Sequence, residues 1–557
     1  MKFAGFMLAL AGVFAGNALG QTPSVTKLAN IYSWTLPGLP NYGTAQGSIF
    51  AIFGTNLSST TVPLQGAPLQ TTLSGVSLSV TVGTTTTQPL LYFLSPGQIN
   101  AVLPSATPVG TGTITVTNSA GTSAPFTIQV VEGAFGLLTF NYGSGPLAGF
   151  NASNGGAYLG FSAAANPGDV LELWGTGLGP VADDTKGGPV SPTADVYIGG
   201  IAANVQYSGR SGYIGLDQIN VVVPSGLSGC YVSVVIQTGK YVSNFATIPV
   251  AASGRTCSDA DNPLTASVLD QINQTGSLSM GLVSVNQLNN PGISIDGVTY
   301  GAGTTDTGRA SFSKITSGQI DGGALAAVLD GFSSLGSCFV EFFTTSSVTT
   351  TTLPLAFQFT SLNAGTEVNL NGPDGTIGMP LQTSNGIDSY ATPAGTAAFI
   401  PSSGGAFTFS NGSGGPDVGA FTTPSIEFAA PVTWSNTSSI STVTRSNGLT
   451  VNWTGGDPST HVAITGISLA DVNGSSSEYL AGYFSCRAPT SAGTFTVPPA
   501  VLLSLPASST ISEDGVTIST GILLLSNFAN AVSFTAPKLD VGLLEAGVLD
   551  LVYATFK

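Results

Sequence analysis

The sequence is poor in charge. Charged residues make up 7 % of its 557 positions, against about 25 % in an average soluble protein. Solvent-exposed helices carry charged and polar residues on their outer face, and this chain has little material for such faces. It has 73 glycines and many Ser and Thr tracts instead. We therefore expect an all-β protein whose short strands are joined by uncharged turns.

Basic residues are especially scarce. There are 12 Lys and Arg against 28 Asp and Glu, which gives a formal net charge of −16, and no run of basic residues occurs. Nucleic acids and anionic lipid surfaces are bound by basic faces, so neither is expected as a partner. Dispersed acidity of this kind is typical of solubility, with divalent cations or a cationic wall polymer as alternative partners.

Histidine limits the possible chemistry even more. His461 is the single histidine, so a Ser-His-Asp arrangement would have to use it, and Gly-x-Ser-x-Gly is absent. Because His461 sits where a strand is predicted to start, a structural role is favoured over a catalytic one. We assign no catalytic residue, no cofactor-binding residue, no metal ligand and no cofactor.

Cysteine is limited to four residues, Cys230, Cys257, Cys338 and Cys486. Their spacing does not match a zinc site. An even set in an exported protein indicates two disulfides, for which three pairings are possible. We predict Cys230 with Cys257, because a hairpin-like segment separates them, and Cys338 with Cys486, which both lie in alternating apolar strands.

The N-terminus has the pattern of a secretory signal. Lys2 precedes an apolar run from Phe3 to Phe14, and the small residues before Gln21 predict cleavage after Gly20. The apolar run is too short to span a membrane as a mature helix. We expect a secreted, extracellular or cell-surface protein without a membrane span in the mature chain.

One stretch occurs twice. Gln98 to Ser105 reads QINAVLPS and Gln218 to Ser225 reads QINVVVPS. Upstream, the run from Gly47 to Leu57 is echoed by the run from Gly168 to Leu178. Both pairs recur after about 120 residues, a common size for one domain, so a whole unit has been duplicated. β-branched runs between Gly and Pro predict strands within each copy.

These patterns predict the organisation of the chain. At least six short strands in each copy are typical of an immunoglobulin-like sandwich. The expected fold class is all-β, with tandem immunoglobulin-like β-sandwiches followed by a further β-sandwich-type region. The predicted segments are a signal peptide (1–20), a leader (21–46), module 1 (47–131), a connector (132–167), module 2 (168–252), a β-rich region (258–360) and a C-terminal β domain (361–557).

Five blocks in order carry a family resemblance. They are FGTNL (53–57), SPGQINAVLP (95–104), TVTNSAGTS (115–123), GTGLGPV (175–181) and DQINVVVP (217–224). Over residues 26–252 the chain resembles a paired-module family found in secreted proteins of soil acidobacteria, similar to the IPT/TIG class of Ig-like domains. The resemblance implies an exported, modular β-sandwich protein of unassigned activity, and it carries over no catalytic residue.

The repeated motif has two interpretations. Asn and Gln beside Ile at a strand start can hydrogen-bond to neighbouring turn backbone, and buried amides must be satisfied somewhere. Alternatively, Gln98, Asn100, Gln218 and Asn220 form a polar recognition patch. We favour the structural interpretation.

The C-terminal half offers weaker patterns. The segment 258–263 reads SDADNP and is interpreted as a linker with a capped turn, with a calcium site as the alternative, although the EF-type loop is missing. Gly323 to Asp330 is a short helical candidate. The connector supplies edge strands to module 1 or packs between the modules, and Lys538 to Lys557 is interpreted as a closing strand pair.

Two classes of function remain. The first is a non-enzymatic extracellular binding, adhesion or structural protein with an extracellular polysaccharide or a surface protein as candidate partner. Its candidate stacking aromatics are Trp434, Trp453, Tyr390 and Tyr479. The alternative is a secreted carbohydrate-active hydrolase with a carboxylate pair in the C-terminal half. Its candidate acids are Glu341, Glu367, Asp374, Asp388, Glu427, Asp457 and Asp471.

Overall fold

A computed structural model describes most of the chain after the predicted signal segment. The described residues are 21–141, 143–259, 264–268, 270, 277–295, 298–316, 333–345, 360–384, 386–402, 404–472, 475–513 and 516–557. The predicted signal peptide and the helical candidate 323–330 lie outside them. The described residues are nearly all in strands and turns, which confirms the predicted all-β class.

The first sandwich consists of two sheets. One has the order β1-β3-β8-β7 and the other β2-β11-β9-β5-β4. Alternate residues of β5 (Val76–Val82) are buried, as expected for a strand with one face on a core. The strands are β1 Ser24–Asn30, β2 Thr44–Ala45, β3 Ile49–Thr55, β4 Thr72–Leu73, β5 Val76–Val82, β6 Thr85–Thr87, β7 Leu90–Leu94, β8 Gln98–Val102, β9 Gly110–Asn118, β10 Gly121–Thr122 and β11 Phe126–Val131.

The second sandwich is built in the same way. Its sheets have the orders β16-β15-β17-β22-β21-β18 and β13-β14-β25-β23-β19-β20. The strands are β12 Gly136–Leu137, β13 Thr139–Asn141, β14 Ser144–Leu147, β15 Phe150–Asn151, β16 Ala157–Tyr158, β17 Val170–Thr176, β18 Gly188–Pro189, β19 Asp195–Ile198, β20 Ile201–Ala202, β21 Asn204–Arg210, β22 Asp217–Val222, β23 Gly229–Thr238, β24 Tyr241–Val242 and β25 Ala246–Val250.

The two sandwiches have equivalent strand orders. The order β3-β8-β7 in the first corresponds to β17-β22-β21 in the second, and β11-β9-β5 corresponds to β25-β23-β19. In each copy the Gln-Ile-Asn strand therefore lies in the middle of its sheet. Each sandwich also adds a parallel strand next to its last strand, β2 on β11 and β14 on β25. The duplication seen in the sequence is a duplication of one strand topology.

The leader and the connector differ from their predicted roles. The leader contributes β1, which pairs with β3 along the edge of the first sandwich. Five strands of the connector, β12 to β16, belong to the sheets of the second sandwich, so the expectation that it completes module 1 is wrong. The reason is that its short strands find partners in β17 and β25, which follow it in the chain. The predicted boundaries of independently folding units stay predictions.

The C-terminal region is dominated by one large sheet. While the second sandwich contains the 3₁₀ turn Ala152–Asn154, the described residues of the C-terminal region contain the helix α1, Pro499–Ser504, and 3₁₀ turns at Thr437–Ser439, Arg445–Asn447 and Thr490–Ala492. Its strands are β26 Ser277–Asn290, β27 Ile293–Ile295, β28 Val298–Tyr300, β29 Gly303–Thr316, β30 Cys338–Thr345, β31 Thr360–Ser361, β32 Glu367–Gly372, β33 Gly375–Ser384, β34 Ile387–Ala391, β35 Ala406–Ser410, β36 Ile426–Glu427, β37 Val432–Trp434, β38 Thr442–Val443, β39 Leu449–Gly455, β40 His461–Val472, β41 Ser475–Pro489, β42 Thr494–Val497, β43 Thr510–Glu513, β44 Val516–Ser519, β45 Gly521–Phe528, β46 Val532–Phe534, β47 Val541–Tyr553 and β48 Thr555–Phe556.

The large sheet has 14 strands and follows the order β30-β41-β40-β45-β47-β26-β29-β34-β33-β32-β35-β36 along its main path. Strands from both predicted C-terminal segments alternate in it, so the two segments are intertwined. β47, in the predicted closing pair, lies in the interior of the sheet between β45 and β26, and is parallel to β26. Its nearly continuous apolar sequence is typical of such an interior strand.

Both disulfides connect neighbouring segments. Cys230 pairs with Cys257, and Cys338 pairs with Cys486. These are the two pairs predicted from the sequence. Cys338 and Cys486 are opposite each other in the register of β30 and β41. The second disulfide therefore links strands that are separated by 148 positions in the sequence.

A buried ion pair lies where the two sandwiches meet. The Nε of Arg210 is 2.8 Å from Oδ1 of Asp217, and both side chains are 0 % exposed. Oδ2 of Asp217 accepts hydrogen bonds from the backbone N–H groups of Gly177 and Leu178. Gly47 of the first sandwich has φ +71°, and a Cβ there would lie 2.8 Å from Nη2 of Arg210. The guanidinium is thus enclosed by both sandwiches.

Replacing Arg210 should destabilise this junction. The change Arg210→Met leaves the Asp217 carboxylate buried without its cation, which costs about 3–5 kcal/mol. We expect the first urea-unfolding transition of the full chain to shift to lower denaturant by a corresponding amount. The control is Lys186→Met, which removes a solvent-exposed ion pair with Asp183 and should leave the transition in place. Equal, small shifts for both variants would contradict the assignment.

Candidate functional site

The candidate site is a cleft on one face of the large sheet. Two buried apolar clusters cover this face toward its two ends. One contains Val462, Ile464, Leu523 and Leu525, and the other contains Val283, Val285, Ala546 and residues from the segment 362–428. Between the clusters the same face carries mostly polar side chains, with Val548 among them.

Strand periodicity explains this change along single strands. Successive side chains of a strand point to opposite faces. On β26, Val283 and Val285 are in the apolar cluster, and the next residues on that face are Gln287 and Asn289. On β45, Leu525 in the other cluster is followed two positions later by Asn527. We call the area where the apolar alternation of these two strands ends the polar floor. It begins at Gln287 and Asn289 on β26 and at Asn527 on β45.

Cross-strand register brings these polar residues together. Asn289 of β26 is opposite Asp550 of β47, and Asp550 is in turn opposite Leu525 of β45. Val548 stands between Gln287 and Asn527 in the same way. Residues opposite each other in neighbouring strands have their side chains on the same face within contact range.

Hydrogen bonds orient the floor. Nδ2 of Asn289 donates to Oδ1 of Asp550 at 2.9 Å, and Oγ1 of Thr304 donates to Oδ1 of Asn289 at 3.0 Å. Nε2 of Gln287 donates to Oδ1 of Asp306 at 3.0 Å. These bonds hold the amide groups in fixed orientations, which is a condition for selective recognition of a ligand.

Asp306 has a positioning role beneath one wall. Its Oδ2 accepts hydrogen bonds from the backbone N–H groups of Phe399 and Ile400, both at 2.8 Å. Its side chain is buried. The carboxylate therefore fixes the loop that begins at Phe399 above the sheet, and both of its oxygens are engaged by the protein.

The opposite wall is the segment from Phe428 to Val432, which passes from one apolar cluster to the other. Phe428 packs on the cluster of the 362–428 segment, and Val432 packs on the cluster that contains Leu525. Nδ2 of Asn527 donates to the carbonyl of Ala430 at 2.8 Å, which ties the crossing segment to the floor.

The cleft contains two adjoining cavities. The inner cavity has a volume of about 370 Å³ and lies between the loop at Ile400 and the crossing segment. The outer cavity has a volume of about 500 Å³ and extends past Thr304 and Thr433. Both cavities are lined by Asn289, Val432 and Asp550, so they lie next to each other. Ligand sites in proteins typically enclose about 300–1,000 Å³.

Asn527 lines the inner cavity, and one of its polar atoms is buried. Its side chain is 5 % exposed, and its Oδ1 has no hydrogen-bond partner among the described residues. A buried polar atom without a partner costs about 1–3 kcal/mol. Because this oxygen has almost no accessible surface, a ligand in the cavity would reach it only after the side chain moves.

The cleft is therefore suited to binding an uncharged polar molecule. Its lining, within the part of the chain that the structure describes, has amide donors and acceptors, the Asp550 carboxylate, and no Lys, Arg or His. The apolar residues Ile400, Phe428 and Val432 limit it from the sides. No group of three or more His, Cys, Asp and Glu side chains in the described residues is arranged to hold a metal ion.

Of the candidate stacking aromatics, Trp453, Tyr390 and Tyr479 do not line the cleft, whereas Trp434 borders the outer cavity with little of its surface exposed. Trp434 and Tyr479 are each 6 % exposed, Trp453 is 3 % exposed and Tyr390 is 1 % exposed. Nε1 of Trp453 donates to the carbonyl of Thr490, and the hydroxyl of Tyr390 donates to the carbonyl of Gly365. The prediction of an exposed aromatic strip is wrong, because these rings pack into the cores of the C-terminal region.

The predicted catalytic acids are dispersed. None of the seven lines either cavity. Burial raises the pKa of Glu341 to about 7, but Glu341 lies on β30, at the far edge of the sheet. Asp388 accepts a hydrogen bond from Thr383, and Asp457 caps the turn at Ser459. The remaining four, Glu367, Asp374, Glu427 and Asp471, are exposed.

His461 is buried at the start of β40, on the sheet face opposite the cleft floor. Nη2 of Arg487 donates to its Nε2 at 2.9 Å, and its ring stacks on Phe528. Burial, and next the charge of Arg487, lower the pKa of His461 to about 2. The imidazole is therefore neutral at ordinary pH and has a structural role, as the sequence indicated.

This buried imidazole predicts a pH dependence of stability. In the unfolded chain the pKa of histidine is about 6.5, so below that pH the unfolded state binds a proton that the folded state does not. The unfolding free energy should therefore fall as the pH drops. Compared with His461→Gln, the wild-type protein should lose about 1 kcal/mol more stability between pH 5.5 and 4.5.

The comparison with the variant isolates this effect. Burial also raises the pKa of Glu545 to about 7, which acts in the opposite direction as the pH falls, but Glu545 is present in both proteins. Chemical denaturation at several pH values measures the difference. Parallel stability curves for wild type and His461→Gln would disprove the prediction.

The amides of the repeated motif bond to each other. Nε2 of Gln98 donates to Oδ1 of Asn100 at 2.8 Å, and Nε2 of Gln218 donates to Oδ1 of Asn220 at 2.8 Å. This supports the structural interpretation over a recognition patch. In the alternative calcium turn, Asp259 accepts a hydrogen bond from the backbone N–H of Cys230, and residues 260–263 lie outside the described residues.

The sequence did not reveal the residues of the cleft. Gln287, Asn289, Asn527 and Asp550 come from three strands that are distant in the sequence, and none stands in a motif. Each strand does carry a sequence signal of its own, because on β26 and on β45 the alternating apolar residues are followed by amides. In the folded sheet these two changes lie near each other. The sequence alone does not show that these two changes are close together, because that depends on which strands pair.

Comparisons with known proteins give only distant similarities. No family model and no curated protein matches the chain. Among solved structures, SGBP-B of the Bacteroides ovatus mixed-linkage glucan utilization locus, in complex with a mixed-linkage heptasaccharide, is 12 % identical over 39 % of this chain and 45 % of its own, with a TM-score of 0.19.

Two further solved structures are about as weakly similar to this chain. The plexin A4 extracellular region is 9 % identical over 87 % of this chain and 30 % of its own, with a TM-score of 0.16. Domains 5–6 of the S-layer protein SbsC are 11 % identical over 42 % of this chain and 100 % of their own, with a TM-score of 0.16. The chain spans less than half the length of the first two. Similarities this distant carry no inference about the ligand.

Proposed function

We propose that this protein is an exported, non-enzymatic binding protein whose C-terminal sheet binds an uncharged, hydrogen-bonding ligand in the cleft. The tandem sandwiches carry that sheet at the cell exterior, in a binding or adhesion role. The observation that carries the proposal is the cleft between two apolar clusters, whose floor contains the amides of Gln287, Asn289 and Asn527 and the Asp550 carboxylate.

The polarity of the cleft supports a ligand rich in hydroxyl or amide groups. An apolar ligand entering it would bury the amides of Gln287, Asn289 and Asn527 without providing hydrogen bonds. Such unsatisfied groups cost more than the apolar contacts would contribute. A ligand with several donors and acceptors satisfies the same groups.

The exported location is supported by chemistry independent of the cleft. Two disulfides are typical of proteins that mature in an oxidising environment. The N-terminal sequence has the three parts of a secretory signal. No helix among the described residues is long and apolar enough to cross a membrane.

The carrier role of the sandwiches is supported by their contacts. Val235, Val242 and Phe245 of the second sandwich belong to the same buried cluster as Trp434 and Val501 of the C-terminal region. Continuous apolar packing of this kind restricts relative motion. The cleft would then be presented on a stiff support.

The residues that line the cleft favour binding over hydrolysis. Glycosidases generally use two carboxyl groups on either side of the scissile bond. In the described part of the chain, Asp550 is the one carboxylate that lines the cavities, and Asp306 beneath them is fully engaged by backbone and Gln287. We therefore assign Asp550 to ligand binding.

The test is the loss of binding in Asp550→Ala. Hydrogen bonds to a charged group contribute about 1.5–3 kcal/mol, so affinity for a bound glycan should fall at least about tenfold. A screen of neutral glycans by isothermal titration calorimetry measures it, with release of reducing ends assayed in parallel.

The matched control is Asp374→Ala, at an exposed hairpin turn away from the cavities. It should bind like the wild type, and thermal unfolding should show both variants folded. Unchanged binding in Asp550→Ala would refute the assignment of the cleft. Turnover of a glycan that is lost in Asp550→Ala would replace binding by hydrolysis.

A further inference from the structure

We infer that the cleft binds an internal stretch of a neutral polysaccharide chain, which runs from the inner cavity past Asn289 and Asp550 into the outer cavity. This inference rests on the proposed function and specifies its ligand. The geometric basis is that the two cavities share Asn289, Val432 and Asp550, so one elongated ligand can occupy both.

The shape of the path requires an elongated ligand. The inner cavity of about 370 Å³ adjoins an outer cavity of about 500 Å³. The outer cavity is bounded by the exposed residues Pro291, Gly303, Thr304 and Thr433. A compact ligand would fill one cavity and leave the other empty, whereas a chain uses both and continues into solvent.

The polar side chains of the floor are spaced along the direction from the inner cavity to the outer cavity. Gln287 and Asn289 are two residues apart on β26, which places them about 7 Å apart along the strand. Asp550 is level with Asn289 on the neighbouring strand, and Thr304 is level with it on the other side. Donors and acceptors therefore recur along the path, as a chain with hydroxyl groups on every ring requires.

The charge of the site disfavours an anionic polymer. The cavities are lined, among the described residues, by one carboxylate and no cationic side chain. The chain as a whole has a formal net charge of −16. A polyanion such as a uronic acid polymer would be repelled and would find no cation to pair with in the cleft.

A peptide fits the floor less well. Extended peptides are usually bound by adding a strand to a free sheet edge. The floor is the interior of a sheet, since β26 pairs with β29 on one side and with β47 on the other along almost its whole length. Its backbone groups are therefore already bonded, and recognition must use side chains, which offer hydroxyl-matching amides.

The side walls complete the fit to sugar rings. Ile400 and Pro401 stand on one side of the inner cavity, and Phe428, Pro431 and Val432 stand on the other. Sugar rings present C–H groups on their faces and hydroxyl groups at their edges. In this cleft the faces can contact the apolar walls while hydroxyl groups bond to the polar side chains of the floor.

The test is the dependence of affinity on chain length. The full-length protein is titrated calorimetrically with neutral gluco- and xylo-oligosaccharides of one to six units. For the bound series, affinity should rise at least tenfold between one and four units and then level off. Blocking the reducing end as an alditol should leave the affinity of the six-unit oligomer unchanged, because an internal stretch is bound.

A variant of the outer cavity tests the path. Thr433→Trp should lower affinity for the six-unit oligomer at least fivefold and leave short oligomers unaffected. Thr113→Trp, at an exposed strand position of the first sandwich, is the matched control and should bind like the wild type. If Thr433→Trp does not fold, the chain-length series of the wild type decides alone.

The outcomes separate this inference from the proposed function. Binding of a monosaccharide with no gain from added units would overturn the polymer and keep the binding cleft. Preference for a uronic acid oligomer, an amino-sugar polycation or a peptide, lost in Asp550→Ala, would overturn the neutral glycan and keep the site. Binding that is unaffected by Asp550→Ala would overturn both.

Discussion

The change from apolar to polar side chains along one face of the large sheet is the constraint on which the cleft depends. Burial of apolar surface contributes about 25 cal/mol per Å², so the two apolar ends of this face must be covered. The amides between them lose their hydration if covered by apolar groups. The covering layers therefore end at the polar floor, and a cleft remains between them.

The same packing logic joins the C-terminal sheet to the second sandwich. Cys230 and Tyr231 share a buried cluster with Met280 and Leu543 of the large sheet, and Cys257 lies in the same cluster. At the other junction, Arg210 and Asp217 form an ion pair that neither sandwich encloses alone. Contacts between the segments are thus as buried as those within them, which makes the sandwiches part of the support for the cleft.

The sequence was sufficient for most strands and insufficient for their partners. Gly and Pro punctuation with β-branched runs predicts short strands in both repeated units, and the structure contains such strands in both. The parallel pairing of β26 with β47 joins segments from opposite ends of the C-terminal region, and no local pattern specifies such a pair. The aromatic prediction failed for a related reason, because Trp434 and Tyr390 alternate with polar residues in strands whose buried face is decided by distant partners.

The contrast between two sets of amides indicates which polar groups are left for a ligand. Gln98 and Asn100 occur in a repeated motif and are joined to each other by one hydrogen bond, and so are Gln218 and Asn220. Asn527 stands in no motif and retains an unpartnered oxygen. A catalytic site needs particular residue types and therefore leaves a pattern in the sequence. A site for an uncharged ligand needs only amides and hydroxyls that keep donors or acceptors unused within the fold. Which groups are unused is known only when the pairing of the strands is known.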